Sequence, residues 1–141
     1  MSHVKWEIFI HLVWRTWNRE PILAERFHNR IFSLIRKKAE ELGCELLAVG
    51  AVEDHIHILV SVSPKTTVPE LVKHFKGTTS HLINHELYPE TPFKWQGGYG
   101  AFSVSKANLP KTKAYIENQR QHHADGTVVA YYENWDRIAR D

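Results

Sequence analysis

The chain is poor in the residues that staple or anchor a protein. It carries a single cysteine, Cys44, among 141 residues. No intramolecular disulfide framework can form, and that scarcity fits the reducing cytoplasm. No apolar run approaches the roughly 18–20 residues of a membrane span. His3, Lys5, Glu7 and His11 interrupt the amino-terminal stretch "MSHVKWEIFIHLVWRTW", which excludes reading it as a secretory signal. The expectation is a chain without membrane partners. Charge of one sign is also scarce: 18 Lys and Arg against 16 Asp and Glu leave a net +2. So small a surplus permits a nucleic-acid partner through local patches without announcing one. Repeats, low-complexity tracts and linkers are missing. With 43% hydrophobic and 24% charged residues, positions 1–141 are expected to form one domain.

What the chain has in quantity is histidine, ten in all. Two of them stand one residue apart in "AVEDHIHILVSV", from Ala51 to Val62. In a strand, side chains alternate between faces. Val52, Asp54, Ile56, Ile58 and Val60 then share a core face, and Glu53, His55, His57, Leu59 and Ser61 share the other. The two imidazoles point the same way, roughly 6–7 Å apart. A third group reaching between them would complete a metal site, since neutral imidazole is the commonest protein metal ligand. Two histidines on a solvated sheet face explain the same spacing.

The remaining pattern gives an order of elements. "HVKWEIFIHLVWRTW" alternates as a long first strand, and "NREPILA" turns the chain. "ILAERFHNRIFSLIRKKAEELG" has an apolar stripe of Phe27, Ile31, Leu34, Ile35 and Leu42, with Gly43 as a stop. "CELLAVGAVEDHIHILVSV" reads as a hairpin turning at "VED". In "TTVPELVKHFKGTTSHLINHEL", Thr67 and Glu70 form a capping box, Pro69 suits the first turn, and Leu71, Val72, Phe75, Leu82 and Ile83 face inward. "YGAFSVS" is a further strand and "NLPKTKAYIENQRQHH" a third helix; the tail after Asp125 is unassigned. The order β-α-β-β-α-β-α predicts an α+β fold of ferredoxin-like βαββαβ plan, an antiparallel sheet with two helices on one face. The His55 and His57 face is left open unless something else covers it.

The third helix has little apolar surface: Tyr115, Ile116 and the small Ala114. It is expected to be peripheral and weakly docked. One stripe carries Lys111, Tyr115, Gln119 and His122 or His123. Composition favours a solvated helix anchored by Tyr115. The other reading is a reactive tyrosine with a ligand, Gln119, one turn behind it. A tyrosine hydroxyl with a free pKa of about 10 is a weak nucleophile at neutral pH. A divalent metal beside it would polarise the phosphate under attack, and two imidazoles with an amide oxygen would leave coordination positions open. Such a set makes a coherent phosphodiester-transfer site. His122 and His123 are expected to be solvated or to meet phosphate. Tyr88 and Tyr99 read as structural, and Tyr131 and Tyr132 as a packing cluster with Trp135. Asp54 falls on the wrong parity for a ligand, whereas Glu53 shares the histidine face and could support the site.

"DHIHILV" resembles the His-hydrophobic-His motif of the HUH nucleases, and "YIENQ" resembles the helix of the single-tyrosine HUH transposases of small bacterial insertion sequences. "HLVWRTWNREPIL", "VKHFKGTTSHLIN" and "WQGGYGAFSVS" look like the same family, so the resemblance spans about His11 to His123. It implies His55, His57 and Gln119 as ligands of Mg²⁺ or Mn²⁺, and Tyr115 as nucleophile. It also implies a homodimer acting on single-stranded DNA with hairpins, with no nucleotide cofactor. Cleavage would leave a 5′-phosphotyrosine that conserves the phosphodiester's energy for rejoining. Arg15, Arg19, Lys73, Lys76 and Lys111, with Lys106 and Lys113 nearby, are the candidate DNA-binding cations. Trp14, Trp17, Trp95 and Tyr99 could stack on bases or fill the core. Alternatives are a domesticated nickase processing palindromic repeats, a hairpin-binding protein without cleavage, and a structural metal-binding protein.

Overall fold

The computed structural model describes residues 3–133 and Trp135, so the expected 1–141 domain runs beyond the described residues at both ends. Strands β1 (Phe9–Arg15), β2 (Glu45–Val52), β3 (His55–Ser61) and β4 (Gly100–Val104) pair antiparallel in the order β2-β3-β1-β4. Helices α1 (His28–Glu41) and α2 (Val68–Leu82) complete the ferredoxin-like plan. The first strand is shorter than its alternation predicts. Residues 3–8 are irregular, although Trp6 Nε1 still donates to the Val62 carbonyl at 2.6 Å.

Period-two alternation assigns the two faces. Leu12 and Trp14 of β1 and Ile56, Ile58 and Val60 of β3 join Ile31 and Ile35 of α1 and Leu71, Val72 and Phe75 of α2 in the main core. The predicted cap holds: Thr67 accepts from the Glu70 amide at 3.3 Å, satisfying one of the free amides at the helix start. The β2–β3 hairpin turns at Glu53 and Asp54.

The opposite face is not open. Helices α3 (Leu109–Glu117) and α4 (Gln119–Asp125), broken at Asn118, lie over β2 and β3, and the short α5 (Ala130–Glu133) follows. Tyr115 and Ile116 pack with Ala48 and Leu59 in a second buried cluster. The expectation of a weakly docked helix fails for a physical reason. Gly50 presents no side chain, and a Cβ added there would overlap the Ile116 carbonyl. The helix backbone therefore meets the sheet directly, and two large side chains suffice to seal it.

Candidate metal and nucleophile site

Three strands and three helices converge on the histidine face. His55 and His57 project from β3, and the register sets His57 opposite Gly50 of β2 and Val13 of β1. Both imidazoles are buried, as are His11, Tyr115, Gln119 and Glu133. Glu133 comes from α5 and reaches into the centre. Its Oε2 lies 3.1 Å from His55 Nε2, and its Oε1 lies 3.1 Å from His57 Nε2. Ligand atoms of these three residues all fall within 4.8 Å of one another.

The Tyr115 hydroxyl donates to Glu133 Oε1 at 2.8 Å and accepts from the Val129 amide at 3.0 Å. Gln119 Nε2 donates to the Tyr115 carbonyl at 3.0 Å. The buried atoms with no well-aligned hydrogen bond among the described residues include His55 Nε2, His57 Nε2, Gln119 Oε1 and Glu133 Oε2. The imidazole–carboxylate contacts are thus close but poorly aimed. Buried polar atoms are rarely left unmatched, and two imidazole nitrogens with carboxylate and amide oxygens are a donor set that suits a divalent ion. The residues fit a metal.

Behind the ligand atoms, each imidazole has a different partner. His55 Nδ1 pairs with Asp54 Oδ1 at 2.7 Å, while His57 Nδ1 faces His11 Nε2 at 2.8 Å. Burial opposes the charge on His55, but the Asp54 and Glu133 carboxylates outweigh it and raise its pKa. Burial lowers His57 to about 4 against the pull of Glu133, and lowers His11 to about 3 with help from His57. Burial disfavours ionised Glu133, yet its contacts with His55 and His57 hold its carboxyl far below the usual range. Burial pushes Tyr115 up to about 12, the Val129 amide opposing.

Strand parity misplaces two residues beside the hairpin turn. Asp54 is at the turn, where strand alternation no longer applies, and it backs His55 directly. Glu53, given the supporting role by parity, instead accepts from Arg120 Nη1 at 2.7 Å at the surface. His122 bonds Thr127 Oγ1 at 2.9 Å with its ring 4.7 Å from that of Tyr115. The His123 ring stands 4.9 Å from that of His55, so neither is simply solvated.

The candidate DNA cations scatter. Arg15 is buried at the end of β1, and Arg19 lines a cleft with Asp54, Arg120 and His123 beside the site. Lys111 is exposed on α3 and Lys73 on α2, the latter on the far side of the sheet. Lys76 Nζ donates to the Gln96 and Gly98 carbonyls at 3.1 and 2.8 Å, a structural role. Trp14 and Trp95 are core residues packed edge to face, while Trp17 is 38% exposed beneath Lys94.

Sequence reasoning missed Glu133 and His11. A four-residue helix carries no periodicity, so the tail gave no signal for Glu133. His11 had one, because its parity matches Val13, which pairs with His57.

Comparisons with known proteins agree with this fold. Residues 4–119 match the family model "Transposase IS200 like". The chain is 26% identical over 120 residues to the ISDra2 transposase TnpA of Deinococcus radiodurans, covering 81% of this chain and 85% of that one. It is 27% identical over 136 residues to the transposase for insertion sequence element IS200 of Salmonella typhimurium, covering 92% and 88%. A crystal structure of a proposed transposase from Deinococcus radiodurans superposes with a TM-score of 0.66 at 25% identity, over 84% of this chain and 98% of that one. A REP-associated tyrosine transposase bound to a REP hairpin shares the fold, with a TM-score of 0.63 at 13% identity over 91% and 76%.

Proposed function

Because the chain belongs to the IS200-like transposase family, we propose that it is a metal-dependent endonuclease and strand transferase for single-stranded DNA, cutting at hairpin-marked ends with Tyr115 as nucleophile. The observation that carries this reading is the convergence of His55 Nε2, His57 Nε2 and the Glu133 carboxylate beside the Tyr115 hydroxyl. His55, His57 and Gln119 would hold Mg²⁺ or Mn²⁺, with Glu133 as a further ligand. Such an ion supplies polarisation of the scissile phosphate and stabilisation of charge on the departing oxygen.

The chain's own residues supply the rest. Asp54 holds the His55 ring in place. Tyr115 attacks the phosphorus, the bond to the 3′-oxygen breaks, and a 5′-phosphotyrosine forms while the 3′-hydroxyl leaves. Glu133 Oε1, which already receives the Tyr115 hydrogen bond, takes the phenol proton as the bond to phosphorus forms and returns it to the departing 3′-oxygen, which leaves as a hydroxyl. A free 3′-hydroxyl from another end then attacks the phosphotyrosine, restoring Tyr115 and joining the strands, so no nucleotide cofactor enters the balance. Val129 and Glu133 occupy both hydrogen bonds of the hydroxyl, so the scissile phosphate must displace part of that contact.

Arg19 and Lys111, with Lys73 farther off, would meet DNA phosphates, and Trp17 an unpaired base. The resemblance brings a homodimer and a cytoplasmic setting with it. In the described chain α3 covers its own sheet, which supports a reading in which Tyr115 serves the site of its own subunit. Peptide mapping of the covalent protein–DNA complex tests the reading. DNA attached at Tyr115 is the expected result, and attachment at Tyr131 or Tyr132 would overturn it.

A further inference from the structure

We propose that His11 is a positioning residue for His57, accepting a hydrogen bond from His57 Nδ1–H and so fixing the tautomer whose Nε2 lone pair faces the metal. The inference rests on the reading of His55 and His57 as ligands.

Both rings are fully buried, with His11 Nε2 2.8 Å from His57 Nδ1. The placement is built into the sheet. His11 pairs with Leu59 of β3 and Phe102 of β4, so His57 is its diagonal neighbour on a central strand. Phe102 and Tyr132 close around the His11 ring at 5.8 and 4.6 Å.

Between two neutral imidazoles only one nitrogen of the contacting pair carries the proton. Either choice leaves His11 Nδ1 without a polar partner among the described residues, so that atom does not decide. The choice is made at the other end of His57. Were His11 the donor, the His57 proton would be forced onto Nε2, the atom that converges with His55 and Glu133, and the ligand lone pair would be lost. With His57 as donor, Nε2 is left free.

The two ligands are then held by unlike partners, an anion for His55 and a neutral ring for His57. A carboxylate at position 11 would orient His57 equally well, but would bury another negative charge in a site that already holds Glu133. A histidine in this place orients without adding charge. Partners of ligating imidazoles matter at about the 10–100-fold level in metal affinity.

The test pairs two variants with a direct measurement. His11→Phe keeps a ring but removes the acceptor, and His11→Gln restores an acceptor oxygen at about the reach of Nε2. Mn²⁺ affinity is measured by calorimetry in the absence of DNA, and the His57 tautomer by nitrogen-15 NMR of the wild type saturated with diamagnetic Mg²⁺. The expected results are a proton on His57 Nδ1, a loss of about 10–100-fold in Mn²⁺ affinity in His11→Phe, and recovery in His11→Gln. A His57 proton on Nε2 would overturn the inference even if His11→Phe failed to fold. Wild-type affinity in folded His11→Phe would overturn it while leaving the metal site standing. A wild type that binds no Mn²⁺ would overturn the metal reading and the positioning role together.

Discussion

Gly50 lies against the carbonyl of Ile116 so closely that no side chain fits between them. That contact sets the height of the tyrosine helix above the sheet, because Gly50 is also the cross-strand neighbour of His57. Backbone geometry at one position thus fixes how Tyr115 and Gln119 approach the histidines. Gly50→Ala must push the helix outward. The expected cost is about 1–3 kcal/mol, as for overpacked cores, with covalent adduct formation falling at least about tenfold by the lost alignment. Thermal melting and a single-turnover cleavage assay check the two parts.

Glu133 touches both candidate ligand histidines and the Tyr115 hydroxyl. If its carboxylate belongs to the metal site, Glu133→Ala lowers Mn²⁺ affinity without DNA by about tenfold, or ~1.4 kcal/mol. Calorimetry reads this directly. An unchanged affinity would remove Glu133 from the ligand set.

Acid should loosen the metal-free protein before any carboxylate is protonated. His11 and His57 are held at about 3 and about 4 in the fold, against about 6.5 in an unfolded chain. The unfolded state therefore takes up protons that the folded state refuses. The stability is fully present above about pH 6.5 and drains as the pH falls towards their folded values, by about 1.4 kcal/mol per pH unit for each group. His123 is lowered by burial as well, and His55, raised in the fold, acts in the opposite sense but is one group against three. Melting temperature should fall steadily between pH 6.5 and 4.5. A flat or rising profile would contradict this balance.

Lys76 looks like a phosphate contact in the sequence and is a clamp in the fold. Its ammonium ties the Gln96 and Gly98 carbonyls to α2, and burial lowers its pKa. Lys76→Met should cost about 1–3 kcal/mol of stability and leave the salt dependence of DNA binding unchanged. A phosphate contact would instead reduce the slope by about 1.

Much of this was legible from short-range pattern. Alternation placed His55 and His57 together and Ile56 and Ile58 in the core, and Thr67 with Glu70 marked the start of α2. What was hidden depends on contacts between distant segments or on the limits of a period. Parity failed at Asp54 because the strand had already ended. The apolar count of the third helix misjudged its docking, because a glycine on the facing strand lets backbone substitute for side chains. Glu133 was invisible because a single helical turn has no repeat to read, and only the fold carries it to His57.

The central claim is that Tyr115 attacks a phosphodiester held at His55 and His57. It is tested most directly by incubating the protein with labelled single-stranded DNA, bearing palindromes from the flanks of its own gene, and Mn²⁺, followed by a denaturing gel. The account predicts a covalently shifted band in the wild type, absent in Tyr115→Phe and absent or greatly weakened in His57→Ala. A band of wild-type intensity in Tyr115→Phe, or tight DNA binding by the wild type with no covalent band, would contradict it.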